Sequence, residues 1–175
     1  MDTRDIIDCL DFTLLDHDAS EDELVSFCSQ ANSVNPAAVC VFSEHLEIVR
    51  KHLNEGIALA VVAGGFPVGS SSPEEIEIAV RTAVESGADE VDVVLEPRES
   101  EDFPDENDLK KLIAMREAAG KAVLKVIIEA PLLAEREMRS VARMALAAGA
   151  DFIKTCTGKR GSFNSHINNF NSKIF

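Results

Sequence analysis

Residues 150–161, ADFIKTCTGKRG, set a single lysine, Lys154, inside a run that otherwise reads as a buried strand entering a glycine turn. Phe152 and Ile153 lead into it, and Thr155, Cys156, Thr157 and Gly158 follow as small or β-branched residues. Burial disfavours an ammonium and pulls a lysine pKa down, which is how a lysine becomes a nucleophile. The plainer reading of this stretch is a strand-end lysine whose head group reaches water. The surrounding pattern decides between them.

The tripeptide ahead of this strand recurs. Gly149-Ala150-Asp151 precedes Lys154 as Gly87-Ala88-Asp89 precedes Asp92, and Gly120 precedes Lys125 at the same five-residue offset. Three successive strands are therefore expected to carry Asp92, Lys125 and Lys154 at equivalent heights. The rest of the chain alternates strand and helix. A short helix around Ile6 and Ile7 precedes a first strand within CLDFTLL, which carries Asp11. Ser20 and Glu23 form a capping box for a helix over 21–32, with Leu24, Phe27, Cys28 and Ala31 on one face. Residues 37–42 form a second strand, Ser43 is expected to cap a helix that stops at Gly56, and 57–63 form a third strand. After the turn-rich GGFPVGSSSP, Ser72, Pro73 and Glu75 are N-cap, first-turn proline and capping-box partner of a helix that stops at Gly87. A fourth strand over 90–95, a helix over 106–119, a fifth strand over 122–128 and a helix over 133–148 complete the series before the sixth strand.

Strands alternating with helices every ~30 residues make βαβ crossovers and a parallel sheet with helices outside. In a (β/α)8 barrel the inward side chains of alternate strands share a layer, so Asp92 and Lys154 can face one another with Lys125 on the strand between. A doubly wound sheet offers these residues no common interior, and no GxGxxG fingerprint supports it. The predicted fold is an α/β barrel of TIM type, incomplete, with six of the eight βα units.

Composition bounds the function. With 17 basic and 31 acidic residues the net charge is −14, which argues against nucleic acid or an anionic membrane as partner and leaves room for a small anionic substrate in a locally positive pocket. There is no apolar run near the ~20 residues of a membrane span and no signal-like N-terminus, so a soluble, cytoplasmic protein is expected. Cys9, Cys28, Cys40 and Cys156 form no CxxC pair, so neither a disulfide framework nor a zinc site is indicated.

Two lysines and an aspartate converging in an apolar interior have a chemical use. A neighbouring ammonium and desolvation favour the neutral amine of one lysine, which attacks a carbonyl and becomes an iminium. The iminium accepts the electrons of a breaking carbon–carbon bond, and a carboxylate moves the protons. The competing structural reading is a buried ion pair, although two lysines on one carboxylate leave a charge uncompensated. The segments LDFTLL, AAVCVF, GADEVDVVL, LKVIIEAPLL and GADFIKTCTGK, from about Ile7 to Gly161, resemble deoxyribose-phosphate aldolase, a class I aldolase that reversibly joins acetaldehyde to glyceraldehyde 3-phosphate. The resemblance implies that Lys154 forms the Schiff base, that Asp92 donates and accepts protons, and that Lys125 is a supporting charge. It further implies that Thr157, Gly158 and Lys159 start the loop toward the substrate phosphate, where backbone N–H groups and a lysine suit an anion. Asp11 and Cys40 match pocket-lining strand positions, Cys40 equally well as core. The implied partner is a phosphorylated sugar or aldehyde, with no metal or organic cofactor, in deoxyribonucleotide and carbohydrate catabolism.

The chain departs from that family after Gly161. Residues 162–175, SFNSHINNFNSKIF, contain no Ala, Val, Leu, Gly, Asp or Glu, which points to a different reading frame, an alternative exon or a truncated gene. The aldolase-like domain is accordingly set at 1–161 and an atypical tail at 162–175. The seventh and eighth strands, with the family's second catalytic lysine and most of its phosphate-binding backbone, have no counterpart. Six strands leave two unpaired edges and an open interior, so self-association through those edges is expected. Two other functions compete with the aldolase: an inactive or partner-binding remnant, and another phosphate-binding barrel enzyme.

Overall fold

The computed structural model describes residues 2–70 and 72–160; the expectations attached to the tail over 162–175 lie outside the described residues. Six strands, β1 (Asp11–Leu14), β2 (Ala38–Phe42), β3 (Ala58–Ala63), β4 (Glu90–Val94), β5 (Val123–Ile127) and β6 (Phe152–Lys154), lie side by side in chain order. Every pairing is parallel. Strict sequential order is that of a barrel wall; a doubly wound sheet reverses direction at its switch point. The connecting helices are α1 (Thr3–Ile7), α2 (Glu21–Val34), α3 (Leu46–His52), α4 (Pro73–Glu85), α5 (Glu106–Ala119) and α6 (Glu135–Ala147).

Side chains alternate across each strand, and the two faces have different chemistry. Val39, Val41, Leu59, Val61, Val91, Val93, Leu124 and Val126 form one face, packed against Leu24, Ile76, Val80, Met115 and Val141 of the helices. This is the main core. The other face is the inside of the curl, where Cys40, Phe42, Ala60 and Val62 cluster with Leu15 and Phe66. Asp11, Asp92, Lys125 and Lys154 share this inner phase.

Local signals shape the helices as expected in most places. The Ser20 and Glu23 box forms, with the Glu23 N–H donating to Ser20 Oγ at 3.4 Å and the Ser20 N–H to Glu23 Oε2 at 2.8 Å. Two caps differ. Ser43 opens a 3-10 turn, Ser43–His45, instead of capping α3; already inside the first turn, its hydroxyl is not at the cap position. Ser72 caps α4 by accepting the Glu75 N–H at 3.3 Å, but the Glu75 carboxylate bonds Ser70 Oγ, so the box is not reciprocal.

The recurring Gly-Ala-Asp has a mechanical meaning. Gly87 and Gly149 take φ of +104° and +96°, a conformation that favours glycine, and turn the chain from helix to strand. Asp89 Oδ2 then accepts the Leu59 N–H at 2.8 Å and Arg50 Nη2 at 2.7 Å. Asp151 Oδ2 accepts the Leu124 N–H at 2.8 Å and Arg116 Nη1 at 2.9 Å. Each aspartate thus pins its strand to the preceding one. The result corrects the expectation of equal heights. Asp92 is level with Lys125, but Lys154 pairs with Ile127 and Lys125 with Phe152. A two-residue stagger, ~6.6 Å along the strand, lifts Lys154 above Lys125, because Asp151 registers on Leu124 while β5 has no such aspartate after Gly120.

Candidate active site

The inner face holds three carboxylates and two ammoniums on four strands. Lys125 Nζ, on β5, lies 2.7 Å from Asp11 Oδ2 on β1, pairs with Glu90 on β4, and is 3.9 Å from Asp92 Oδ1. Lys154 Nζ, at the end of β6, bonds Asp92 Oδ2 and is 3.1 Å from Asp11 Oδ2. Asp11 therefore joins the first strand to the fifth and sixth across the curl. Asp92 is nearly sealed, with 1% of its side chain exposed, whereas 29% of Lys154 remains exposed toward the open interior. Asp92 Oδ1 has no hydrogen-bond partner.

The electrostatics differ from the sequence expectation. Burial pulls the Lys154 ammonium down, but Asp92 and Asp11 outweigh it and hold its pKa above the ordinary 10.5. Lys125 is likewise raised, burial being outweighed by Asp92, Asp11 and Glu90. The expected neutral amine is thus not the resting state, because the lysines share three carboxylates and not the single one read from the sequence. Asp92 is raised from 3.8 by burial, which Lys154 and Lys125 offset only partly. Asp11, less buried, is lowered: burial acts against the carboxylate, and Lys125 and Lys154 more than compensate.

Cys40 lies inside the curl with its thiol 3.8 Å from Asp92 Oδ2, a small interior side chain that also lines the surroundings of Asp92. Burial, then the charge of Asp92, pushes its thiol pKa up, so the thiol rests neutral. The loop after β6 is at the same end of the sheet. The Thr157 N–H points at Glu129, 3.3 Å from each carboxylate oxygen, and Lys159 Nζ donates to the Leu15 carbonyl at 2.8 Å. Gly158 is exposed between them. Two of the groups expected to meet phosphate are therefore held by protein partners in this state. Glu90, Glu96, Glu129 and Arg160 were not anticipated. Glu90 had a signal, since it stands two residues before Asp92 on the same strand face; the other three had none.

Among the described residues no cluster of metal-ligating side chains is present. No helix among them is long and apolar enough to cross a membrane.

Sequential parallel strands, helices outside and lysines inside place the molecule in the class of parallel (β/α)-barrel enzymes. The comparisons give the lineage within that class. A model described as DeoC/LacD family aldolase matches residues 9–171, and the chain belongs to this family of carbon–carbon lyases. It is 36% identical over 149 residues to the deoxyribose-phosphate aldolase of Finegoldia magna, covering 85% of this chain and 70% of that protein. It is 37% identical over 161 residues to that of Halalkalibacterium halodurans, covering 91% and 72%. The deoxyribose phosphate aldolase of Aeropyrum pernix, described as a tetramer, superposes with a TM-score of 0.76 at 28% identity, covering 91% of this chain and 67% of that one. Neither competing reading of the sequence finds support in these relatives.

Proposed function

We propose that the chain carries the chemistry of a deoxyribose-phosphate aldolase, the reversible cleavage of 2-deoxyribose 5-phosphate to acetaldehyde and glyceraldehyde 3-phosphate, with Lys154 as nucleophile. The observation that supports it is the placement of Lys154 Nζ between Asp92 and Asp11 at the C-terminal ends of the strands, where barrel enzymes keep their sites. Lys154 must lose a proton before it attacks, and Asp92 Oδ2 is already bonded to it as acceptor. The free amine adds to the C1 aldehyde, and loss of water leaves an iminium. Removal of the C3 hydroxyl proton breaks the C2–C3 bond, releases glyceraldehyde 3-phosphate and leaves the electron pair on an enamine. Protonation at C2 and hydrolysis return acetaldehyde and the amine. Asp92 suits both proton transfers, since burial raises its pKa toward the range of a working acid. Lys125 holds Asp11 and balances charge, and Cys40 walls the interior. Thr157, Gly158 and Lys159 receive the phosphate, with Lys159 exchanging the Leu15 carbonyl for it. On this reading the chain serves the breakdown of deoxyribose phosphates, and the cytoplasm is its proposed compartment.

The test is borohydride trapping with acetaldehyde followed by mass mapping. A two-carbon adduct on Lys154, absent in Lys154→Ala, is expected. Folded wild-type protein without an adduct on Lys154 would leave the lineage without the activity and sink the proposal.

A further inference from the structure

At the mouth of the curl, segments that follow four different strands meet at Arg160. Its guanidinium forks onto Glu96, just beyond β4, with Nη1 2.9 Å from Oε1 and Nη2 2.6 Å from Oε2. Nε and Nη2 also donate to the Pro67 carbonyl, in the segment after β3, at 3.1 and 2.5 Å. On the other side Nε is 3.7 Å from Glu129 Oε2, beyond β5. Both carboxylates carry the connection onward. Glu96 Oε2 accepts the Gly69 N–H at 3.0 Å, and Glu129 faces the Thr157 N–H.

Two backbone features show how tightly this rim is built. A Cβ on Gly69 would lie 2.6 Å from the Val94 carbonyl oxygen, so the segment after β3 seats directly on the end of β4. Glu129 takes φ +45° and ψ +52°, a left-handed conformation unusual for a glutamate that persists only where its surroundings hold it. Its neighbours hold the nucleophile's strand as well: the Ile128 N–H donates to the Lys154 carbonyl at 3.0 Å and the Ala130 N–H to that of Thr155 at 2.6 Å.

We propose that Arg160 is a positioning residue which, with Glu96 and Glu129, clasps the segments after β3, β4, β5 and β6 into one rim and thereby sets the preference for a phosphorylated over a non-phosphorylated sugar. The proposal rests on the aldolase reading above for the substrate, and on geometry alone for the clasp. Arg160 is already matched by two carboxylates, so it is not the phosphate's own counter-charge. That role falls to Lys159, whose ammonium is met by a carbonyl. Arg160 instead fixes where Thr157, Gly158 and Lys159 stand. The clasp is electrostatically favourable: burial acts against the Glu96 carboxylate, yet Arg160 and the Gly69 N–H hold its pKa below the usual range.

The experiment compares the full chain with Arg160→Gln and Arg160→Lys. The half-saturating concentrations of 2-deoxyribose 5-phosphate and 2-deoxyribose are measured for trapping on Lys154, together with hydrogen exchange over 64–70 and 155–160. In Arg160→Gln both segments are expected to exchange about tenfold faster, and the preference for the phosphorylated sugar to fall about tenfold. Arg160→Lys keeps the charge but loses the fork, and should resemble Gln more than wild type. Faster exchange with the phosphate preference intact would reduce the clasp to a structural brace and overturn the positioning role. If the wild type traps neither sugar, the aldolase reading fails by itself. Exchange then judges the clasp alone, and unchanged exchange in Arg160→Gln overturns it.

Discussion

On the proposed mechanism Lys154, an ammonium at rest, must become an amine to react, and its two carboxylates set how hard that is. Trapping by acetaldehyde is therefore expected to accelerate as pH rises toward and beyond the ordinary lysine value of 10.5, with no plateau near neutrality. Asp92→Asn removes the larger of the two charges that stabilise the ammonium, so the rise should move to lower pH even though cleavage of the sugar is lost. A pH profile of trapping that does not move in this variant would contradict the assignment of Asp92 as the controlling charge. At this scale the sequence was informative where a residue broke a strong local pattern: Lys154, Lys125 and Asp92 each interrupt an apolar strand. Asp11 and Cys40 were reached only through the family resemblance. Glu129 and Arg160 were out of reach, because the contact between them joins positions far apart in the chain and has no period to betray it.

The elements were legible in proportion to their end signals. The helix over 106–119 appears with the bounds expected, since Asp105 caps it through the Asn107 and Asp108 N–H groups and Gly120 ends it. Strand heights were not legible, because stagger belongs to a pair of strands and is written in neither. The device that sets it can be tested. Asp151→Ala leaves the Leu124 N–H without its acceptor and Arg116 without its carboxylate, and should destabilise the fold by about 1–3 kcal/mol, read from the denaturation midpoint. Asp151→Asn, which keeps an acceptor oxygen, should cost less. A denaturation midpoint of Asp151→Ala equal to that of the wild type would show that the carboxylate does not pin β6.

As a whole, the molecule is a sheet curled far enough for Asp11 to reach Lys154, with β1 and β6 unpaired on their outer sides among the described residues. Phe152, on the same face of β6 as Lys154, is 56% exposed. Edges and open interior together predict association, concentration-dependent in sedimentation and reduced by Phe152→Ser; a sharply monomeric chain at high concentration would contradict this. Stability should fall off on both sides of neutrality. Asp11 and Glu96, depressed in the fold, contribute stability present above their ordinary 3.8 and 4.5 and lost as pH falls through their lowered values. Asp92, raised, opposes that loss by taking up a proton more readily in the fold than out of it. Lys125 and Lys154, also raised, contribute stability present below 10.5 and lost as pH climbs through their folded values. A Tm unchanged between neutrality and pH ~2, below the lowered range of Asp11 and Glu96, would be inconsistent with net acid destabilisation.

The stagger of β6 on β5 also bears on how such a site can be damaged or altered. The altitude of Lys154 is decided at the opposite end of its strand, by Asp151, Arg116 and the Leu124 amide on the floor of the sheet. Variants selected for lost or shifted activity should therefore map to two separate places, the mouth where substrate arrives and this foundation beneath it. A random-mutagenesis screen would recover floor mutations that touch no substrate, and their signature would be a lysine still present and still trapped by small aldehydes with borohydride, but no longer opposite Asp92.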